Sequence, residues 1–426
     1  MERTDALYQR YLDVLKEELV PAMGCTEPIA IAYCAAKARE VLGALPDDVD
    51  VEASGNIIKN VKSVTVPNTG GRKGIAAAAA VGIVAGVPSK ALQVISEVSE
   101  RQREELGTFL ETVPITVRRL ASDEVLDLIV HVKKDGHCVS VHIAKAHDNI
   151  ISIEKDGEIL MQACAKDPQL KPQSDRSFMS VEGIYEFAND LHVEDVQEII
   201  QRQIACNMAI ANEGLHGNYG ANIGSVLLAA DKDSLYTRVK AYAAAGSDAR
   251  MSGCELPVII NSGSGNQGMT ASIPVIVWGR EHQVSKERLY RSLVVSNLIT
   301  IHLKNGIGKL SAYCGVVSAG CGAACGICYQ DGGDLRAVSH TLVNTIAMIS
   351  GTVCDGAKAS CAAKIASAVE AGLLGYAMYQ NDLQFRDGEG IVSKGVENTI
   401  RNIALLAKEG MRDTDREIID IMIGRC

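Results

Sequence analysis

Aromatic side chains are scarce in this chain: they make up 4% of its 426 residues, and Trp278 is the single tryptophan. So few rings leave no stacking platform for nucleobases. The net charge of −10, spread along the chain, argues further against a nucleic-acid surface. Long apolar runs are also missing. The most apolar stretch, GIAAAAAVGIVAGVP at 74–88, falls short of the about twenty residues that cross a bilayer. The first residues, MERTDALYQRYLDVLKEELVPAMG, are charged and amphipathic and lack the apolar run and cleavage site of a signal peptide. A cytoplasmic location is therefore expected, with no membrane association, and there thiols stay reduced and disulfides are not expected. The nine histidines show no HExxH or other paired spacing, which disfavours a histidine zinc site. No lysine context marks a pyridoxal phosphate site, and no Ser/His/Asp triad can be located.

The chain exceeds the size of one hydrophobic core, so two lobes are expected. Residues 5–20 have the spacing of a helix, with Leu7, Tyr11, Leu15 and Leu19 four apart, ended by Pro21 and Gly24. Thr26 is placed to cap a second helix with Pro28 in its first turn, and Cys34 falls on its apolar side as packing. Residues 50–66 read as strand, and 68–74 as a glycine-rich turn into an alanine-rich helix. From about 113 to 160 the pattern alternates, and Asp135-Gly136 and Asp156-Gly157 are hairpin signals, which predicts an antiparallel meander. Residues 162–180 read as a linker, and from 181 onward the pattern is mostly helical. The fold class is α+β and predominantly helical. An α/β lobe with the meander is expected over 1–165 and a helical lobe over 166–426.

What the chain has in abundance is cysteine. Six of thirteen cluster in 48 residues: Cys314, Cys321, Cys325, Cys328, Cys354 and Cys361. Thiolate is the usual ligand of iron–sulfur clusters and a common one for zinc. A buried thiol can equally serve as a small hydrophobe. The spacing Cys321-x3-Cys325-x2-Cys328 reproduces the CxxxCxxC of radical S-adenosylmethionine enzymes. Its place three quarters along the chain, with no βα series after it, argues against that chemistry. In Cys354-Asp355-Gly356-Ala357-Lys358-Ala359-Ser360-Cys361, two thiols, an acid and a lysine share eight residues. On a continuous helix the thiols would share a face; if Gly356 breaks the helix, the segment is a loop able to curl around a cluster.

Two other segments carry chemistry. The run Asn261-Ser262-Gly263-Ser264-Gly265-Asn266-Gln267-Gly268 brings together glycines that let backbone amides converge and side chains that donate hydrogen bonds. It suits a carboxylate or phosphate, or is a plain tight turn. It lacks the Gly-Lys-Ser/Thr of a Walker loop, and its formal GxGxxG precedes MTASIPVIVWG, which reads as strand. In Gly24-Cys25-Thr26-Glu27-Pro28, Cys25 stands at a helix start, where the dipole favours thiolate and makes it a candidate base, nucleophile or ligand.

Taken together, GCTEPIAIA, SGNIIKN, NSGSGNQGMTASIPV, LSAYCGVV with ACGI, and GTVCDGAKASCAAKI resemble L-cysteine desulfidase, a family related to the alpha chain of iron–sulfur L-serine dehydratases. The resemblance extends over nearly the whole chain. It implies a [4Fe-4S] cluster held by Cys314, Cys354 and Cys361 with one iron open, and no pyridoxal phosphate. It also implies Cys25 in catalysis. Cys325 is an alternative to Cys314. Cys321 and Cys328 depart from the family pattern, as does Cys426, the last residue, for which a free tail thiol is the plainer reading.

The reaction so implied is α,β-elimination of L-cysteine to pyruvate, ammonia and sulfide, the open iron acting as Lewis acid on the substrate sulfur. Cys25 is the candidate base. Ser262, Gly263, Ser264, Asn266 and Gln267, with Asn68, Thr69 and Gly70, are candidates for holding the substrate carboxylate. Lys358, with Asp355, would position the amine or the cluster. Dehydration of L-serine and a non-catalytic iron–sulfur sensor or carrier are the rival readings; a carrier needs no carboxylate pocket. The expected partner is a small amino acid, and a homodimer is one arrangement the alanine-rich helices allow.

Overall fold

The computed structural model describes residues 1–122, 124–163, 175–308 and 311–423. The predicted linker at 162–180 and Cys426 fall largely or wholly outside them. The fold is α+β and predominantly helical, and no helix among the described residues is long and apolar enough to cross a membrane.

The first part of the chain runs α1 (Ala6–Glu18), β1 (Pro21–Met23), α2 (Thr26–Leu42), β2 (Asp48–Ala53), α3 (Gly55–Val61), α4 (Gly74–Ala85) and α5 (Glu100–Thr112). The strands β3 (Ile115–Arg119), β4 (Asp127–Lys134), β5 (His137–Ala144), β6 (Ile150–Lys155) and β7 (Glu158–Gln162) follow. The six-stranded sheet has the order β3-β2-β4-β5-β6-β7. From β4 to β7 it is the antiparallel meander that the alternation predicts, with Asp135 and Gly136 at positive φ in the first hairpin turn. Its first strand departs from that pattern: β3 pairs in parallel with β2, which inserts between β3 and β4. The strand expected over 50–66 stops at Ala53, because Ser54 starts α3, whose apolar residues Ile57 and Val61 are buried at helical spacing. Cys34 lies in the core between α2 and the sheet, its Sγ 3.2 Å from the Val141 carbonyl oxygen, consistent with packing.

The remaining helices are α6 (Val181–Asp190), α7 (Gln197–His216), α8 (Ile223–Ala230), α9 (Leu235–Met251), α10 (Gly265–Glu281), α11 (Lys286–Ile307), α12 (Gly315–Gln330), α13 (Leu335–Ile349), α14 (Ser360–Gln380), α15 (Val396–Leu405) and α16 (Arg412–Ile423), with the short β8 (Pro257–Ile259) ahead of α10. One buried core lies between α2, α4 and the sheet; a larger one fills the helical bundle. The chain ends cross between them. Helix α1 packs into the helical core through Tyr8, Tyr11 and Leu15, and α16 lies back on α3, where Ile419 closes over Gly55.

The segment MTASIPVIVWG forms the body of α10 and is not a strand. Almost every residue from Gly265 to Gly279 is buried, and a helix enclosed on all sides shows an unbroken apolar run that is indistinguishable from a buried strand. Thr270 and Ser272 turn their hydroxyls back onto the carbonyls four residues earlier, so neither is left orphaned.

Asp248, near the end of α9, accepts a hydrogen bond from the Gly224 amide at 3.1 Å and so caps α8 from a distance. Burial pushes its pKa up to about 6 against the pull of that amide and the Ile223 amide. A carboxyl whose folded pKa lies above its ordinary 3.8 holds its proton longer when folded, so its contribution to stability falls as pH rises from about 4 to about 6. Asp248→Asn removes that titration. Denaturant unfolding at a series of pH values should show the stability difference moving in favour of the variant across this window and staying constant above it.

Candidate active site

Four helices begin at one cavity. Cys25 is the N-cap of α2, Ser264 of α10 and Cys314 of α12, and Cys361 is the second residue of α14. None of these four starts has a side-chain cap. Elsewhere, α5, α6, α9, α11 and α13 are capped by Ser99, Ser180, Ser234, Ser285 and Asp334. Helices α1, α3, α4, α7, α8 and α15 also begin without a side-chain cap, so it is the convergence of four such starts that marks the cavity. Uncapped starts leave backbone N–H groups and the positive end of each dipole for whatever the cavity holds. The cavity, about 100 Å³, is walled by Cys25 to Glu27, Lys59 and Asn60 of α3, His147, Arg250 of α9, the 262–267 turn, Lys304 of α11, Ser311, Tyr313 to Val316, and Cys354, Gly356, Ala357, Cys361 and Lys364.

The 262–267 turn takes its shape from Ser262 and Gly263, both at positive φ. Gly268 then lets α10 press against β8, since a Cβ there would lie 2.0 Å from the Ile259 carbonyl oxygen. Strand, turn and helix thus follow in the order of a dinucleotide loop after all. The expectation of a strand after the turn was wrong, but the dinucleotide reading still fails. β8 pairs antiparallel with β1 in a two-stranded sheet, not within a parallel βαβ unit.

Cys25 and Glu27 form a buried pair at the start of α2, with Sγ 3.6 Å from Oε2. Asn60 donates to the other Glu27 oxygen at 2.9 Å, and Thr26 ties the helix start to the turn through the Gly263 carbonyl at 3.1 Å. Burial pushes the Glu27 carboxyl up, but His147, its own backbone amide, Arg250 and Asn60 together hold it below the usual carboxylate range. Burial, followed by the Glu27 charge, pushes the Cys25 thiol up. The helix dipole expected to favour thiolate at Cys25 is outweighed here.

Cys314, Cys354 and Cys361 reach the same wall from two segments joined by backbone: the Cys314 amide donates to the Thr352 carbonyl at 3.0 Å. Cys354 is drawn down to about 6, first by the hydrogen bond from the Cys314 thiol and then by Lys59, the Gly356 amide and Lys364. Cys314, the donor of that pair, moves up, and burial raises Cys361. The segment from Cys354 to Ala359 is a loop, with α14 starting at Ser360. It turns at Gly356, φ +91, where a Cβ would stand 2.2 Å from the Lys59 carbonyl.

Several expected residues lie elsewhere. Asn68, Thr69 and Gly70 do not line the cavity. Asn68 donates to the Ile95 carbonyl at 2.8 Å and Thr69 to that of Val66 at 2.7 Å, so both are used up in shaping their own turn. Lys358 also misses the wall. It pins the loop by bonding to the Asp355 and Gly356 carbonyls and pairing with the Asp355 carboxylate at 2.5 Å, the place of a positioning group, while Lys364 faces the cavity instead. Cys321 and Cys325 sit inside the helix packing, against the Leu342 and Val338 carbonyls of α13, and Cys328 is fully buried beside them.

Residues 89–420 match the family described as serine dehydratase alpha chain. The chain belongs to this family. A UPF0597 protein of Desulfitobacterium hafniense (strain Y51) is 57% identical over 426 residues, covering 100% of this chain and 99% of that one. Similar proteins of the same name occur in Lachnoclostridium phytofermentans, 50% identical over 417 residues (98% of this chain, 100% of that one), and Finegoldia magna, 45% identical over 418 (97% and 99%). The family match covers Arg250, the 262–267 turn and the three thiols; Cys25, Glu27 and α3 precede it. The family description names serine dehydration, so a dehydratase or lyase type of activity follows from membership.

The donor set suits an iron–sulfur cluster. Three thiols face one cavity, two from helix starts and Cys354 from the loop before α14, one is already drawn toward thiolate, and cations stand nearby to offset their charge. Among the described residues no three His, Cys, Asp or Glu side chains are drawn together tightly enough for a single ion. That spacing is no obstacle to a cluster, whose protein ligands bind different irons and stand further apart than ligands around one ion.

Sequence reasoning passed over Glu27, Lys59, Asn60, His147, Arg250, Lys304 and Lys364. A signal was present for two of them: Arg250 ends the largely apolar run AYAAAGSDAR, whose other charged residue is Asp248, and Lys304 ends the run LVVSNLITIHLK, and a charge on such a buried face needs a partner. Gly356→Ala should force the loop away from α3 and cost about 1–3 kcal/mol in denaturant unfolding, with an added loss of cluster binding on reconstitution. A variant as stable as wild type would show that the loop does not depend on this contact.

Proposed function

We propose that the protein catalyses α,β-elimination of L-cysteine to pyruvate, ammonia and sulfide, with a [4Fe-4S] cluster held by Cys314, Cys354 and Cys361. The supporting observation is that three thiols, an anion-favouring turn and the Cys25–Glu27 pair meet in one cavity from segments hundreds of residues apart. When bound, such a cluster supplies an iron without a protein ligand, a Lewis acid that makes sulfide a better leaving group.

The chain's own residues do the rest. The uncapped start of α10 and the Ser262–Gln267 turn face the substrate carboxylate. Cys25, as thiolate, takes the Cα proton. The Cα–H electron pair becomes the Cα–Cβ double bond as the Cβ–sulfur bond breaks, and the aminoacrylate released hydrolyses to pyruvate and ammonia. A cation arriving beside Glu27 offsets the second of the two causes, after burial, that hold Cys25 protonated. Lys304, buried and lowered to about 8 by that burial, faces Cys354 and Cys314 and balances the charge of the thiol wall. A second reading, dehydration of L-serine by the same residues, is favoured by the family description.

Anaerobic reconstitution should yield about four irons and four sulfides per chain, and sulfide release from L-cysteine should exceed pyruvate release from L-serine. The reverse order would assign the reaction to serine, and a full cluster that leaves both untouched would reduce the protein to a carrier. Cys25→Ala should keep its iron and lose about 10²–10⁴ in turnover.

A separate series tests the ligand set. Serine at Cys314, Cys354 or Cys361 should weaken iron retention about tenfold or more. The same change at Cys321 or Cys325 should leave it unaltered. Iron loss in the second group and not the first would overturn the assignment.

A further inference from the structure

The geometry points to Glu27 and Arg250 as a charge pair that reads the ammonium and carboxylate of a free α-amino acid across the cavity. The inference rests on the proposed function only in taking an amino acid as the ligand.

Both side chains line the cavity and both are nearly enclosed, Glu27 at 7% exposure and Arg250 at 2%. They face the same space, and the Arg250 charge helps hold the Glu27 carboxyl ionised. Arg250 enters where Gly265 leaves room; a Cβ there would lie 2.4 Å from Nε. Its Nη1 donates to Asn266 Oδ1 at 3.2 Å, while its buried Nε finds no acceptor. A buried guanidinium without a carboxylate is expensive, and its planar fork is matched by a carboxylate presented edge-on.

Among the described residues the other cations of the wall face groups of their own, His147 beside Glu27 included. Lys59 pairs with Asp415 and Lys364 with Asp355, while Lys304 stands among Cys314 and Cys354. Arg250, which donates to the neutral Asn266 and whose charge acts on Cys25 and Glu27, is the guanidinium of the wall placed for a ligand carboxylate. Glu27 is oriented by Asn60 and Thr26 at the start of α2 and supplies the opposite charge. One positive and one negative group suit a zwitterion. They disfavour a dicarboxylate or a phosphate, because Glu27 repels a second negative charge.

Calorimetric titration of the anaerobic, cluster-loaded protein tests the pair with three probes. L-Alanine carries both charges and no leaving group, propionate lacks the ammonium, and L-alaninamide lacks the carboxylate. Wild type should bind L-alanine about tenfold or more tightly over each of the other two, a difference of about 1.4 kcal/mol per tenfold. Arg250→Gln should weaken L-alanine and propionate and spare L-alaninamide. Glu27→Gln should weaken L-alanine and L-alaninamide and spare propionate. Equal weakening of all three probes, or equal binding of all three to wild type, would overturn the pair. If Arg250→Gln does not fold, Arg250→Lys and the wild-type series still decide. The selectivity pattern without elimination of cysteine or serine would sink the proposed reaction and leave the pair standing. Turnover without the pattern would do the reverse.

Discussion

The rest of the site depends on one constraint: four helices must start at the same small volume without capping side chains. A helix start that ends in the interior leaves donors unsatisfied unless something supplies acceptors. At Ser99 or Asp334 the chain provides its own. At the cavity it does not: Cys25 and Cys314 stand where a serine or aspartate would normally accept, and Ser264, at the third start, makes no capping bond. Their side chains are therefore free for other work, and the summed dipoles create a positive field in a space lined by Arg250 and three lysines. An anionic occupant is what such an arrangement stabilises; without one it is a net cost to the fold.

Tight packing is what allows four starts to converge. Helix α12 is built largely of glycine, alanine, serine and cysteine, and a Cβ at Gly322 would fall 2.2 Å from Thr300 Oγ1 of α11. At such separations a thiol is a suitable filler: larger than alanine, weakly polar and able to rest on a carbonyl. This accounts for Cys321 and Cys325 against α13. Their proximity in sequence to Cys314 reflects one helix and its cap, of which only Cys314, Gly315 and Val316 face the cavity.

Much of this was legible in the sequence because it depends on local pattern. The meander announced itself through alternation and two Asp-Gly turns. The thiols of the cavity, and Cys25, stood in motifs whose glycines mark where backbone approaches backbone. What stayed hidden depends on long-range environment. The body of α10 looked like a strand, since complete burial erases the helical period. Asn68 and Thr69 looked like ligand-binding residues because the polar groups that satisfy them, the Ile95 and Val66 carbonyls, are fixed only in the folded turn. The thiol of Cys25 was expected to ionise because the dipole is a property of its own helix, whereas the opposing burial and the ionised Glu27 depend on the closed cavity. Arg250 and Lys304 went unremarked because nothing adjacent in the chain says what they face.

The crossing of the two chain ends has a consequence for how the protein comes into being. The cavity draws its walls from Cys25 at one extreme to Lys364 at the other, and Lys59 is held by Asp415, close to the last described residues. Helix α1 waits for α6 and α7, and α3 waits for α16. During synthesis, Cys25 and Glu27 leave the ribosome long before any of the three thiols exist, and α16, which braces Lys59 through Asp415, follows the thiols. The walls are therefore made in an order that leaves the chamber without this brace until α16 docks.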